Sequence, residues 1–162
     1  MPTKASYLPL EALAQGPLRW FRDWPDASVP SFGAGAYTIW DAEEAFIYVG
    51  MSGRSITPGM PTPNRPYGLI TRLNSHAQGR RSGDQFCVYV ADRFVLPALT
   101  AEDIAAISTG RRSLDAFVRQ YIHKHLGYRF SLCGDGAEAL ALERKVRQGD
   151  WPKGKPLLNP LA

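Results

Sequence analysis

The chain's 162 residues, 44% hydrophobic and 21% charged, suit one packed domain and exclude wholesale disorder. No apolar run approaches the ~20 residues that span a bilayer, no secretory-type apolar stretch follows Met1-Pro2-Thr3-Lys4, and two cysteines are too few for a disulfide scaffold; a cytoplasmic protein without a membrane partner is expected. The net charge of +4 comes from 14 Arg and 5 Lys against 15 carboxylates, with most of the excess after residue 100, and the planar guanidinium fork suits a polyanionic partner.

Residues 1–32 read as a lead-in that packs on the main body. Leu8, Leu10, Leu13 and Leu18 have weak helical spacing, and Trp20, Phe21 and Trp24 are available for docking. Residues 36–40 and 45–49 predict a β-hairpin across the polar turn Asp41-Ala42-Glu43-Glu44. A symmetric four-residue turn would set Tyr37 opposite Tyr48 on one face, with Cβ atoms about 5 Å apart. Residues 51–66, with four Pro and two Gly, predict a long loop.

Residues 67–79 predict a helix with Leu69, Leu73 and Ala77 on its apolar stripe and Gly79 as the stop. Arg72 and His76, four apart, share a face of it. The nearly continuous apolar run from Phe86 to Leu96 predicts a central buried strand. Residues 101–126 predict two helices split at Thr109-Gly110, and residues 128–133 a short strand. Asp135 predicts a helix start with Glu138 completing a capping box, followed by Ala139, Leu142 and Val146 on the buried stripe. Gly149 would end it, and an extended, Pro-rich tail follows to Leu158-Asn159-Pro160. The order of elements predicts an α+β domain with a small mixed or antiparallel sheet flanked by helices.

Six polar residues stand out as a set. Gly35-Ala36-Tyr37 and Tyr48-Val49-Gly50 flank the hairpin, Arg72 and His76 lie on the next helix, Glu143 lies within Ala141-Leu142-Glu143-Arg144-Lys145, and Asn159 is near the end. In order and element type this set resembles the GIY-YIG nuclease family, over about residues 33–160. The resemblance implies a single nuclease domain over residues 33–162, with insertions near residues 51–66 and 100–133. It implies phosphodiester hydrolysis, in DNA ahead of RNA, with one Mg²⁺ (or Mn²⁺) held by Glu143. Arg72 would stabilise charge on the phosphate, Tyr37 would act toward the attacking water, Tyr48 would hydrogen-bond the phosphate or the water, and Asn159 would position. A free Tyr ionises near pH 10, so Tyr37 as a base needs nearby positive charge from Arg72 and the metal, with His76 as an alternative proton acceptor.

Arg54, Arg80, Arg81, Arg111, Arg112 and Lys124 are candidate nucleic-acid contacts, and Arg119 and Arg129 extend that basic set. His123 and His125, two apart on a helix, point to different faces and make a poor zinc chelate; Cys87 and Cys133 read as buried strand thiols. A standalone member of the resembling family could be restriction-enzyme-like, and a homodimer would be a simple route to double-strand breaks. The alternatives are a catalytically inactive or partner-dependent nucleic-acid-binding module of the same fold, and a non-nuclease interaction domain whose tyrosine hairpin is only core.

Overall fold

The computed structural model describes residues 8–159. Residues 1–7 of the expected lead-in, and Pro160 of the tail, lie outside the described residues. The fold is α+β: a five-stranded, mainly antiparallel sheet lies between two helical layers. Its strands are β1 (Arg19–Trp20), β2 (Phe32–Asp41), β3 (Phe46–Ser52), β4 (Tyr67–Gly68) and β5 (Leu126–Cys133). The sheet order is β1-β5-β2-β3, and β4 runs parallel to the start of β2.

The helices are α1 (Pro9–Gln15), α2 (Leu69–Gln78), α3 (Gln85–Val90), α4 (Ala101–Ser108), α5 (Leu114–His125) and α6 (Gly136–Arg147). One sheet face is covered by α2, α3 and α5, where Tyr37, Ile39 and Tyr128 pack with Leu69, Leu73, Phe86, Val118 and Ile122. The other is covered by α1 and α6, through Leu13, Ala36, Val49 and Val146. Strand β2, with its seven central residues buried, separates the two layers, as expected for a strand covered on both faces.

The hairpin forms, but its register is two residues from the symmetric expectation. Tyr37 pairs with Gly50 and Ile39 with Tyr48, while Trp40 pairs with Phe46, so Ile47 is an extra residue between paired neighbours. The turn chemistry explains this. Asp41 Oδ1 accepts from the amides of Glu43 and Ala45, and Ala45 is drawn into the turn. A shift of two preserves the face, so Tyr37 and Tyr48 become diagonal neighbours with ring centroids 6.4 Å apart.

The expected central strand at residues 86–96 is instead helical. Asp84 caps α3 by accepting from the Cys87 amide, and the chain continues through a π-helical turn (Ala91–Val95) and a 3₁₀ turn (Leu96–Ala98). A short, continuous apolar run fits a buried helix as well as a buried strand. Cys87 is therefore a helical thiol. The central place in the sheet goes to β5, between β1 and β2.

Two smaller corrections concern caps and tail. Asp135 caps α6 through the Glu138 amide, but the Glu138 carboxylate accepts from Gly134 N, one residue upstream of the expected capping-box partner. The tail does not merely trail: the amides of Leu157 and Leu158 donate to the carbonyls of Phe46 and Ile47. It thereby covers the outer edge of β3, which would otherwise present unpaired backbone groups.

Candidate functional site

Tyr37, Tyr48, Arg72, His76, Glu143 and Asn159 all line one cleft of about 430 Å³. Four structural devices bring them there. Strands β2 and β3 place the two tyrosines on one face. Helix α2 carries Arg72 and His76 one turn apart on the side facing them. Helix α6 crosses the other sheet face and contributes Glu143, Arg144 and Arg147. The Asn159 carboxamide imitates a β-ladder residue: its oxygen accepts from Val49 N at 2.9 Å, and its amide donates to Val49 O at 2.9 Å.

Gly50, directly opposite Tyr37, leaves room for the phenol ring; a Cβ there would collide with the Tyr37 hydroxyl and ring. Arg54 reaches the cleft because its loop is docked on α6 by the bond from Gly136 N to Ile56 O at 2.9 Å.

The deepest part of the cleft is a hydrogen-bonded series. The Tyr37 hydroxyl lies 2.6 Å from His76 Nε2, and His76 Nδ1 lies 2.7 Å from Asp84 Oδ2. Ser75 Oγ donates to the same carboxylate oxygen at 2.7 Å, and the Cys87 amide to the other at 3.2 Å. Tyr37 and His76 are 1% exposed and Asp84 is 2% exposed, so little water competes for these bonds. Asp84 is the cleft residue that sequence reasoning misses. Its signal is an Asp two residues before the apolar run that starts at Phe86, a position fit for a helix N-cap.

Burial dominates the acid–base character of the two phenols. It pushes Tyr37 well above the ordinary tyrosine value, and Tyr48 adds to this; the guanidinium of Arg72 opposes it without prevailing. Tyr48 is likewise pushed up by burial, and by the Asp84 charge, to about 12. The Arg72 charge by itself therefore does not offset the burial of Tyr37. Burial lowers His76 against the opposing pull of Asp84. Burial would raise Asp84, but its bonds from His76, Ser75 and the Cys87 amide outweigh that and hold it at about 2.

Glu143 faces the cleft from α6 and is 8% exposed. Burial raises its pKa, opposed by the charges of Arg147, Arg144 and Arg54. Its ion pair with Arg147 is long, at 3.9 Å. A carboxylate oxygen in an open polar cleft is a hard ligand of the kind that binds Mg²⁺ with water completing the shell.

A second group could hold a metal ion: the ligand atoms of His76, Asp84 and Cys87, all buried, lie within 4.8 Å of one another. As arranged, both His76 nitrogens are already hydrogen-bonded, and burial pushes the Cys87 thiol far above its usual range. An ion there would have to displace the series just described and take the proton from the thiol.

The remaining basic candidates lie off the cleft. Arg81 is paired with Asp115 at 2.6 Å, and Arg111 donates to Thr109 Oγ1. Arg80 and Arg119 are exposed on the surface. Arg112 and Lys124 line a separate cavity with Phe94, Phe117 and Tyr121, where Arg112 stacks over Phe117. Arg129 is buried: it bonds to Gly16 O and Glu44 and stacks over Trp40, so it cross-links α1, the hairpin turn and β5 and offers no DNA-backbone face. His123 Nε2 donates to Ala77 O at 2.7 Å, a packing contact.

No protein-family model, curated protein or solved structure matches the chain. Among the described residues, no helix is long and apolar enough to cross a membrane.

Proposed function

We propose that the protein is a divalent-metal-dependent endonuclease that hydrolyses phosphodiester bonds in DNA, as its resemblance to the GIY-YIG nucleases implies. One observation carries this reading: the six polar residues of that resemblance, scattered over 123 positions of sequence, line a single cleft. Core aromatics and solvated helix charges have no reason to converge in this way.

The cleft suits a phosphodiester. Arg54, Arg72, Arg144 and Arg147 surround it with cationic charge, and the Arg72 guanidinium acts on both tyrosine phenols. Its guanidinium would stabilise the charge that develops on the non-bridging oxygens. Glu143 would hold the Mg²⁺ or Mn²⁺, which when bound supplies further neutralisation of that charge. Tyr37 and Tyr48 bring hydroxyls to the same place, neutral at physiological pH because burial raises both. They would orient the attacking water and the phosphate by hydrogen bonding. Asn159 positions Val49 and, through it, the β3 residues beside the site.

A second reading draws on the guanidinium groups around Glu143. Three of them act on this one carboxylate, an environment that favours an anion over a second cation. On that reading the cleft is a nucleic-acid-binding module that cuts only with a partner, or not at all.

The deciding experiment incubates the protein with supercoiled plasmid and labelled single- and double-stranded DNA, with Mg²⁺, Mn²⁺ or EDTA. Cutting should require the metal, and Glu143→Ala should lose roughly a thousandfold in rate while still binding DNA. Undiminished cutting by Glu143→Ala would sink the metal role. Salt-sensitive binding without cutting by the wild type would favour the second reading.

A further inference from the structure

We propose that Asp84 is the positioning residue of a buried proton-transfer chain, in which Tyr37 passes its phenolic proton to His76 Nε2 while Asp84 fixes the ring that receives it. This rests on the nuclease reading above.

The geometry selects one arrangement of hydrogens. Asp84 accepts from Ser75 Oγ and from the Cys87 amide, and its Oδ2 also lies 2.7 Å from His76 Nδ1. An ionised carboxylate only accepts, so His76 Nδ1 must carry the hydrogen. In the neutral ring Nε2 is then a bare lone pair, and the Tyr37 hydroxyl 2.6 Å away donates to it. The reverse tautomer would set the bare lone pair of Nδ1 against a lone pair of the Asp84 carboxylate.

The groups facing His76 make Asp84 necessary. Arg72 on α2 disfavours a positive charge on the ring, as does burial. Tyr37 on β2, Tyr48 on β3 and Phe86 on α3 pack their rings around it, and the Cys87 thiol reaches the His76 carbonyl at 3.8 Å. Asp84 is the anion within hydrogen-bond reach that favours the imidazolium.

The step balances without any further reagent. The water oxygen forms a bond to phosphorus, and a P–O ester bond breaks. A water proton moves to the Tyr37 oxygen as the Tyr37 proton moves to His76 Nε2. The leaving oxygen takes a proton from solvent at the mouth of the cleft. Tyr37 therefore never stands as phenolate, consistent with burial holding its hydroxyl protonated. Asp84 stabilises the imidazolium without itself being protonated, as the carboxylate of a Ser-His-Asp triad does.

The test is Asp84→Asn, because Asn caps helices as well as Asp does and α3 should stand. Single-turnover cleavage should fall roughly a hundredfold or more, while the Kd for DNA stays within about twofold. Nitrogen-15 NMR of the wild type should show His76 with Nδ1 protonated and Nε2 bare, and this signature should change in Asp84→Asn. Cleavage by Asp84→Asn within about threefold of wild type would overturn the proposal. So would a wild-type ring protonated at Nε2, a reading that needs no variant to fold. A thiolate-to-metal absorption band on titrating the wild type with Co²⁺ would also overturn it, by making His76, Asp84 and Cys87 a metal site. A wild type that cuts nothing defeats the nuclease reading itself, a result distinct from a wild type and an Asp84→Asn that cut equally well.

Discussion

On the wall of the cleft built from β2, α2 and α3, Tyr37, His76 and Asp84 are at most 2% exposed and bonded in series. On the wall built from α6 and the loop that follows β3, Arg54 and Arg144 are exposed, and Glu143, 8% exposed, lies 3.9 Å from Arg147. The first wall is dry, and each group's position is fixed by its neighbours. The second is wet, and its long side chains can follow a ligand. Low dielectric strengthens the first set of interactions and makes any missing partner costly, whereas salt screens the second. A site that both moves a proton and grips a polyanion has use for each kind of wall.

The comparison breaks most sharply at Gly50. Its missing side chain is where the Tyr37 ring lies, so Gly50→Ala attacks the dry wall directly. We expect a loss of about 3 kcal/mol, at the upper end of overpacking costs, because the obstructed group is a fully buried ring rather than a flexible chain end. Urea unfolding measures it. Gly59→Ala is the matched control in the wet loop, where a Cβ meets nothing but the backbone is left-handed at φ +72°; about 1 kcal/mol is expected there. Equal losses at the two glycines would mean the dry wall is not rigid.

Acid should dissolve the dry wall in two stages. The folded His76 resists protonation, so the unfolded chain binds that proton more readily and stability falls as pH drops below about 6.5. The Asp84 carboxylate is depressed from 3.8 to about 2, so its contribution is fully present above the ordinary carboxylate range and is lost as pH falls through 2. That second stage amounts to about 2 kcal/mol. Asp84→Asn should remove it. A urea midpoint that stays flat from pH 7 to 4 would contradict the His76 assignment, and one that stays flat from pH 4 to 2 the Asp84 assignment.

The wet wall should respond to salt instead. Replacing Arg54 or Arg144 by Ala should leave the unfolding midpoint nearly unchanged. An arginine that neutralises one DNA phosphate contributes about 0.9 to the slope of log K against log salt, so its replacement should flatten that slope by the same amount. An unchanged slope would remove that arginine from the DNA path.

The two walls also differ in how far the sequence reveals them. Tyr37, Tyr48, Arg72, His76, Glu143 and Asn159 can be picked out together because each sits in a short motif whose element type is legible. The helices at residues 69–78, 114–125 and 136–147 are legible for the same reason, through apolar spacing and caps. Asp84 is not, because the run after it has no period, and a run without a period does not distinguish strand from helix. The hairpin register escapes because a side-chain bond decides it: Asp41 captures Ala45, which propensity cannot show. Arg129 reads as surface charge because nothing in its spacing announces that Glu44 and Gly16 will close over it.

The smallest effect should come from the basic residues away from both walls. Arg81 is already held by Asp115 at 2.6 Å, and Arg112 bonds to Gln120 and lies over Phe117. To contact phosphate, each would have to give up a partner it has, whereas Arg54 and Arg144 already border the cleft. An Arg81→Ala, Arg112→Ala double variant should therefore weaken DNA binding by less than about threefold and leave the salt slope where it was. Stability should drop by no more than about 1 kcal/mol, the worth of exposed ion pairs and a surface cation–π contact. A slope reduced by nearly two in this variant would mean that DNA runs from the cleft across α5, and that the wet wall is one part of a longer cationic track.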